Sequence, residues 1–356
     1  MVTYSTENSV TTFTVTKEVF DSVYDDLIAT KENDRVLLVA WNTDLIPLKP
    51  NDVNVRNKIN KLPKSVMNDK NALFIFDDRL PHDLSSQHQK TLVLAKGTSV
   101  DTDDQPVAYV GGIDITNDRW DTIYHNATAI RDEAGIYFRN KGWVDSSLRI
   151  HDPAAKDVAS NFLARWNSPY LSSQDFIDDL VQFEDPSYSP LPSFDYSSPP
   201  SGNQNVQIVR TYSCKYKKWE FAPNGEKLLP HSRIKAIKNA KNFIYIEDQY
   251  FIVVPELLDA LMKVMPGLQR LLVVVQPPEF MNKCGGFENY MYENIQPIKE
   301  KVPNKLKMYS MKPDLDIYLH SKLVVIDDVY LSDGSASWNR RSMTSDPELD
   351  ANVVDS

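Results

Sequence analysis

Nothing constrains the fold of this chain more than a pattern it carries twice. Ile317 to Asn339 reads I-Y-L-H-S-K-L-V-V-I-D-D-V-Y-L-S-D-G-S-A-S-W-N, and Ser85 to Leu94 reads S-S-Q-H-Q-K-T-L-V-L. His320 and Lys322, like His88 and Lys90, stand two residues apart, so on an extended backbone both side chains leave the same face. Each pair runs into an apolar stretch, Leu323–Ile326 or Leu92–Leu94, with the continuity of a strand buried on both faces. Tyr109-Val110-Gly111-Gly112-Ile113-Asp114 answers Tyr330-Leu331-Ser332-Asp333-Gly334-Ser335, and two of the chain's six histidines head these matching units. Repetition of this kind predicts two similar halves facing each other across a pseudo-twofold, with two imidazoles and two ammonium groups in one cleft. A titratable imidazole beside a fixed cation is what chemistry on a phosphate requires.

The elements between the motifs predict how the halves are built. Thr16 to Thr30 has apolar residues at helical spacing with an acidic outer face, and Arg35–Trp41 follows as a buried strand. Helix followed by strand recurs at Ser232–Ala240 and Phe243–Ile246, and again at Pro255–Met265 and Arg270–Val275. The alternation predicts an α/β class, two similar sandwich halves with mixed sheets and the active site at their interface. Pro186 to Asn203 holds five prolines among many serines and reads as a connection. The expected organisation is therefore 1–185 for the first half, 186–204 for the linker and 205–356 for the second.

Composition excludes several classes. With 356 residues, 42% hydrophobic and 25% charged, the chain is of ordinary globular make-up. A formal charge of −10 argues against a dedicated nucleic-acid binder. No stretch of 18 apolar residues is present, so no transmembrane helix is expected. Met1 to Phe13 is polar and Thr/Ser-rich without the apolar core of a signal peptide, which leaves the compartment open. Two cysteines, Cys214 and Cys284, form no disulfide framework. Gly97 to Gln105 is acidic but lacks the ligand spacing and glycine of a calcium loop, so it reads as a solvated hairpin tip. Pro277 to Glu293 gathers aromatic and Met residues around Gly285-Gly286. It is expected to pack inward, with a lipid-facing loop as the other reading.

His320-x-Lys322-x4-Asp327 with Gly334-Ser335 downstream resembles the His-x-Lys-x4-Asp (HKD) motif of the phospholipase D superfamily. Gly111-Gly112-Ile113-Asp114 with Arg119-Trp120-Asp121-Thr122, Val206–Tyr212, Ile244–Phe251 and Ser335–Ser342 resemble further segments of the true phospholipases D, in the same order. The expected match is to the true phospholipases D without an N-terminal lipid-targeting module. The resemblance implies a covalent phosphohistidine route in which His88 is the nucleophile, His320 the acid and base, and Lys90 and Lys322 stabilise the phosphoryl oxygens. It implies carboxylate partners too: Asp145 in Gly142-Trp143-Val144-Asp145 for His88, and Glu348 in Ser345–Leu349 for His320. Asp114, Ser335, Ser337 and Asn339 fall where phosphate or substrate contacts are expected. The acid of the motif itself is expected to tie the strand end.

Three departures stand out. Ala95 replaces that acid in the first copy, Ser337 replaces an Asn, and the first half continues past Asp145 through a helix-like segment, Pro153–Trp166, without a counterpart in the second. The implied activity is hydrolysis of the distal phosphodiester of lipids such as phosphatidylcholine, giving phosphatidic acid, with transphosphatidylation when an alcohol competes. The partner is a phospholipid at a membrane or micelle interface, and a monomer is expected. No cofactor is called for, although a divalent-cation effect stays open. A nuclease, a phospholipid synthase and a catalytically impaired lipid-binding homologue are the competing readings.

Overall fold

The computed structural model describes residues 4–31, 34–44, 46–53, 72–76, 86–95, 106–136, 141–168, 190–194, 199–214, 219–277 and 287–355. The first half contains β1 (Ser5–Phe13), α1 (Thr16–Ile28), β2 (Arg35–Ala40), β3 (Ala72–Phe76), β4 (Thr91–Ala95), β5 (Val107–Gly111), α2 (Thr128–Glu133), β6 (Gly142–Val144), β7 (Ser147–His151) and α3 (Ala154–Trp166). The second begins with β8 (Gln204–Tyr212), β9 (Glu226–Lys227), α4 (Leu228–Asn239), β10 (Phe243–Glu247), α5 (Pro255–Val264) and β11 (Arg270–Val275). It continues with α6 (Phe287–Lys301), β12 (Leu306–Ser310), β13 (Ile317–Leu319), β14 (Leu323–Ile326), β15 (Tyr330–Gly334), α7 (Arg340–Thr344) and β16 (Glu348–Val354).

One sheet runs through both halves in the order β12-β11-β10-β14-β15-β16-β8-β1-β7-β5-β4-β2-β3. Read outward from the β8–β1 contact, the two sides repeat each other. β10 pairs in parallel with β11 as β2 does with β3, and β14 and β4 sit antiparallel beside them. Among the described strands on this path, β12 has no counterpart in the repeat. The duplicated motif is thus a duplicated sheet, mixed in strand direction as expected.

The joint is β1, a strand the sequence does not announce. Its Ser/Thr-rich residues are all exposed or half-exposed except one, so it lacks an apolar face; β-branched Thr and Val suit an extended backbone all the same. It pairs antiparallel with β7 on one side and β8 on the other. The buried amide of Asn8 bridges β1 to Gln204 O (3.1 Å), and its oxygen accepts Ala154 N at the start of α3. The expected pair of sandwiches is therefore continuous through hydrogen bonds.

Burial follows from the alternation of side chains. In β4, Val93 and Ala95 face α3, while Leu92 and Leu94 face the side covered by α1. Val19, Phe20 and Val23 of α1 fill that second layer. Every residue of β4 is buried, which explains an unbroken apolar run. α4 and α5 cover the corresponding face of the second half, against Ile244, Ile246, Val324 and Ile326. Residues 278–286 and the acidic stretch 97–105 lie outside the described residues, as does Cys284.

Asp327 ends β14 as expected of the acid in the motif. Ile326 O accepts Val329 N across Asp327 and Asp328, both left-handed at φ 54° and 59°, as a tight hairpin turn requires. The Asp327 carboxylate accepts the amides of Lys241, Asn242 and Phe243 at 2.6–2.8 Å, which pins the start of β10. Ala95, in the first copy, is buried against Arg35 of β2 with no such bond to make. Asp327→Ala is expected to cost about 2 kcal/mol from these lost bonds, read as a lower urea midpoint, with turnover unchanged. A fall in turnover out of proportion to stability would place this acid in the chemistry.

Candidate active site

His88 and Lys90 lie in an extended segment just ahead of β4, and His320 and Lys322 fill the gap between β13 and β14. They precede their strands rather than sitting within them, because their backbones reach across the interface. His88 N donates to Pro347 O (3.1 Å) and His320 N to Val144 O (2.8 Å). β13 pairs in parallel with β6 of the first half, Leu319 opposite Val144. The peptide that delivers each histidine is therefore fastened to the segment that delivers an acid from the other half.

This crossing corrects the expected partners. His320 Nδ1 meets Asp145 Oδ2 at 2.7 Å, and His88 Nδ1 lies 3.0 Å and 3.1 Å from the two oxygens of Glu348. Sequence order suggests a carboxylate from the same half; strand pairing across the interface supplies one from the opposite half. Asp145 also accepts Ser146 N and the Trp143 indole, and Glu348 accepts the hydroxyls of Ser335 (2.5 Å) and Ser342 (2.7 Å). Gly112 makes room: a Cβ there would lie 2.2 Å from Asp145 Oδ1.

Both lysines are buried, and each Nζ donates to the carbonyl of its own half's histidine, Lys90 to His88 and Lys322 to His320. Lys90 also faces Asp114 Oδ2 at 3.6 Å. Burial is the main force on both imidazoles, and the lysine charges add to it, so both are held well below the usual histidine range. Burial likewise pushes Lys322 down to about 8. The two carboxylates differ. Burial raises Glu348 to about 7 against the opposing pull of Lys90 and its two hydroxyl donors. At Asp145 the same burial is outweighed by His320, Lys322 and the Ser146 amide, which hold it below the ordinary value.

The imidazoles open into one cavity of about 580 Å³ between the halves. Its walls include Trp143, Tyr318, Arg119, Gln249, Tyr250 and Arg341. Trp143 stacks on Tyr318 with ring centres 4.8 Å apart, and the Arg119 guanidinium lies 3.8 Å from the Trp143 ring centre. Gln249 donates to the Tyr318 hydroxyl. Sequence reading assigned none of these a role. Tyr318 was legible in principle, standing two residues before His320 and so on its face.

The residues expected to contact phosphate are engaged by other protein groups. Asp114 borders the cavity, but its Oδ1 accepts Trp41 N (2.9 Å) and Asn42 N (3.3 Å). With its other oxygen facing Lys90, this carboxylate positions a cation and offers an anionic phosphate no favourable contact. Ser335 is committed to Glu348, and the backbone of buried Ser337 bonds Ser342 and Arg233. Asn339 caps α7 through Ser342 N (3.1 Å). Ser335 and Ser342 thus orient the carboxylate that orients His88. Among the described residues, no group of three or more His, Cys, Asp or Glu side chains is placed to hold a metal ion.

Two duplicated half-sites, each closed by the other's acid, bring two histidines to one cavity. The family model described as Phospholipase D matches residues 52–257, more than half of the chain, and one described as Cardiolipin synthase, PLD-like domain, matches 234–356. The chain belongs to the phospholipase D family. Phospholipase D alpha 1 of Ricinus communis is 25% identical over 72% of this chain and 44% of its own length. Phospholipase D A of Dictyostelium discoideum is 23% identical over 72% of this chain and 23% of its own. The chain thus spans less than half the length of these relatives. Among solved structures, phosphatidylserine synthase of Haemophilus influenzae Rd KW20 superposes with a TM-score of 0.62, covering 99% of this chain and 84% of that one at 14% identity. It shares the fold.

The raised Glu348 gives a stability test. Below about pH 4.5, its ordinary value, Glu348 is protonated in folded and unfolded chains alike. Between there and about 7 the folded form keeps a proton the unfolded form has lost, so rising pH removes stability. The Tm of Glu348→Gln, relative to wild type, should therefore rise from about pH 5 to about pH 8. A constant difference would mean that Glu348 ionises like an exposed carboxylate.

Proposed function

We propose that the chain is a phospholipase D-type phosphodiesterase. It hydrolyses the distal phosphodiester of glycerophospholipids such as phosphatidylcholine and passes the phosphatidyl group to an alcohol when one competes with water. The observation that carries this reading is the pairing of His88 and His320 in one cavity, each with its own lysine and a carboxylate from the opposite half.

His88 Nε2 attacks phosphorus, the P–O bond to the headgroup breaks, and His320 gives its proton to the departing alkoxide. Neutral His320 then takes a proton from water, the hydroxide attacks phosphorus, and the P–N bond to His88 breaks. The carboxylates support this division of roles. Asp145, held ionised, favours an imidazolium at His320; Glu348, held towards its neutral form, favours a neutral imidazole at His88. An entering phosphodiester supplies negative charge that offsets Lys90 and Lys322 and makes protonation of His320 easier. The lysines then face the equatorial oxygens as charge shifts onto the leaving group. The route uses no cofactor.

Phosphatidylcholine vesicles with added ethanol test the proposal. Wild type should yield phosphatidic acid and phosphatidylethanol, and His88→Ala and His320→Ala should each lose both by at least about 100-fold. No product from wild type would remove phosphatidylcholine hydrolysis as the activity. A second reading, transfer to a lipid alcohol, is favoured by the match of 234–356 to the Cardiolipin synthase model; it predicts that phosphatidylglycerol outcompetes water as acceptor in the same assay. The pH profile supplies an independent check. Lys322 must be cationic to bind phosphate, so kcat/KM should fall above about 8 as the free enzyme loses that proton. A flat profile through that range would remove the charge of Lys322 from the rate.

A further inference from the structure

The Asp121–His125 segment presents an unusual surface. His125 N donates to Thr122 O (3.1 Å), closing a turn whose two central residues are Ile123, 66% exposed, and Tyr124, 78% exposed. Turn centres are ordinarily Gly, Pro, Asn, Asp or Ser, residues that favour the bend and tolerate water. Ile and Tyr bring neither advantage. Nor is the turn loosely attached. The buried Asp121 carboxylate accepts Thr122 N (2.8 Å), His125 Nδ1 (2.6 Å) and Trp143 N (2.7 Å), and pairs with buried Arg131. Its carbonyl accepts Lys17 N (2.9 Å) at the start of α1. Two large apolar side chains are thus held out in water on a rigid support.

The turn adjoins the reactive cavity. Residues 116–119 form part of the cavity wall and run directly into it, and the carboxylate that pins it also holds the backbone of Trp143. On its other side, His125 lies over Gly142, whose amide donates to Asp316 O (3.3 Å). Leu315, 47% exposed, precedes that residue, and Trp41 on the cavity rim is 42% exposed. Single exposed apolar residues are ordinary. An adjacent pair on a pinned tip, with a further apolar side chain nearby and a Trp on the rim of the adjoining cavity, forms a surface that is costly to leave in water. Tyr and Trp also suit the boundary between headgroups and acyl chains, with an apolar body and a polar tip.

We infer that the Thr122–His125 turn seats the protein on a zwitterionic phospholipid surface, Ile123 and Tyr124 entering the headgroup layer beside the cavity mouth. The inference rests on the phospholipid reading above. It supplies what that reading leaves open: a double-chain lipid must bring its phosphodiester to His88 while its acyl chains stay near the bilayer, which requires the mouth to lie against the surface. A formal charge of −10 opposes approach to anionic bilayers and leaves apolar insertion as the attraction.

The test compares wild type with Ile123→Ser/Tyr124→Ser on two substrates, phosphatidylcholine vesicles and short-chain phosphatidylcholine kept below its micelle concentration. Vesicle binding is measured separately with both proteins also carrying His88→Ala. The double variant should bind vesicles about tenfold or more weakly, with little dependence on salt, and show a raised vesicle KM with unchanged turnover of the monomeric lipid. Equal vesicle affinity would overturn the inference. If wild type turns over neither lipid yet the double variant still loses vesicle binding, the seat stands and the catalytic reading falls. Should the double variant also lose monomer turnover, Tyr124→Trp decides: a blue shift of its fluorescence with vesicles supports insertion, and no shift overturns it.

Discussion

The arrangement depends on a reciprocal exchange of carboxylates. A buried imidazole without a partner can rotate, change tautomer, and lose the geometry that chemistry demands. Here the partner of each histidine belongs to the other half, Asp145 to His320 and Glu348 to His88. Neither half forms a working site alone. The backbone hydrogen bonds from His88 N to Pro347 O and from His320 N to Val144 O fix the same exchange, so register across the interface and orientation of the imidazoles are set together. The β1–β8 joint matters for that reason: it prevents the two halves of the sheet from sliding against one another.

Duplication then permits difference. Equivalent positions carry an Asp on one side and a Glu on the other, in unequal surroundings. Asp145 sits against a close imidazole, a backbone amide and Lys322, and stays ionised. At Glu348, Lys90 and two hydroxyl donors oppose the effect of burial, and burial still prevails. A double displacement needs one histidine as nucleophile and the other as proton carrier. Pseudo-symmetry assembles the pair, and on the proposed route the unequal carboxylates divide the labour. Ala95 is a departure from that symmetry away from the chemistry: its side chain has no polar atom with which to make the bonds that Asp327 makes to the start of β10.

Much of this was legible in the sequence because the motif combines two physical signals at once. His-x-Lys fixes a shared face, and the apolar run behind it fixes burial, so fold class and the reactive side chains could be named together. What was not legible depends on contacts between distant segments. Asp145 and Glu348 were found as acids yet assigned to the wrong histidines, because nothing local records that β6 pairs with β13. Ser335 and Asn339 were read as substrate contacts by their place after the motif; in the fold one holds Glu348 and the other caps α7. β1 was missed because a polar strand between two partners owes its place to hydrogen bonds, and those leave no apolar pattern.

The cavity wall extends the same logic to selectivity. Trp143, Tyr318 and the Arg119 guanidinium form a stacked layer directly beside His320. Arg119 already occupies one face of Trp143 and pairs with Asp118 at 2.5 Å, so the layer is rigid before substrate arrives. Gln249 fixes the Tyr318 hydroxyl from the second half, which makes this wall, like the histidines, a product of both halves. A leaving group that departs past such a wall meets aromatic faces and fixed charges whose positions are set by the interface. Substitutions there should alter which headgroup alcohol is released more readily than whether phosphorus is attacked. On the proposed route attack depends on His88, whose partner Glu348 is held by Ser335 and Ser342.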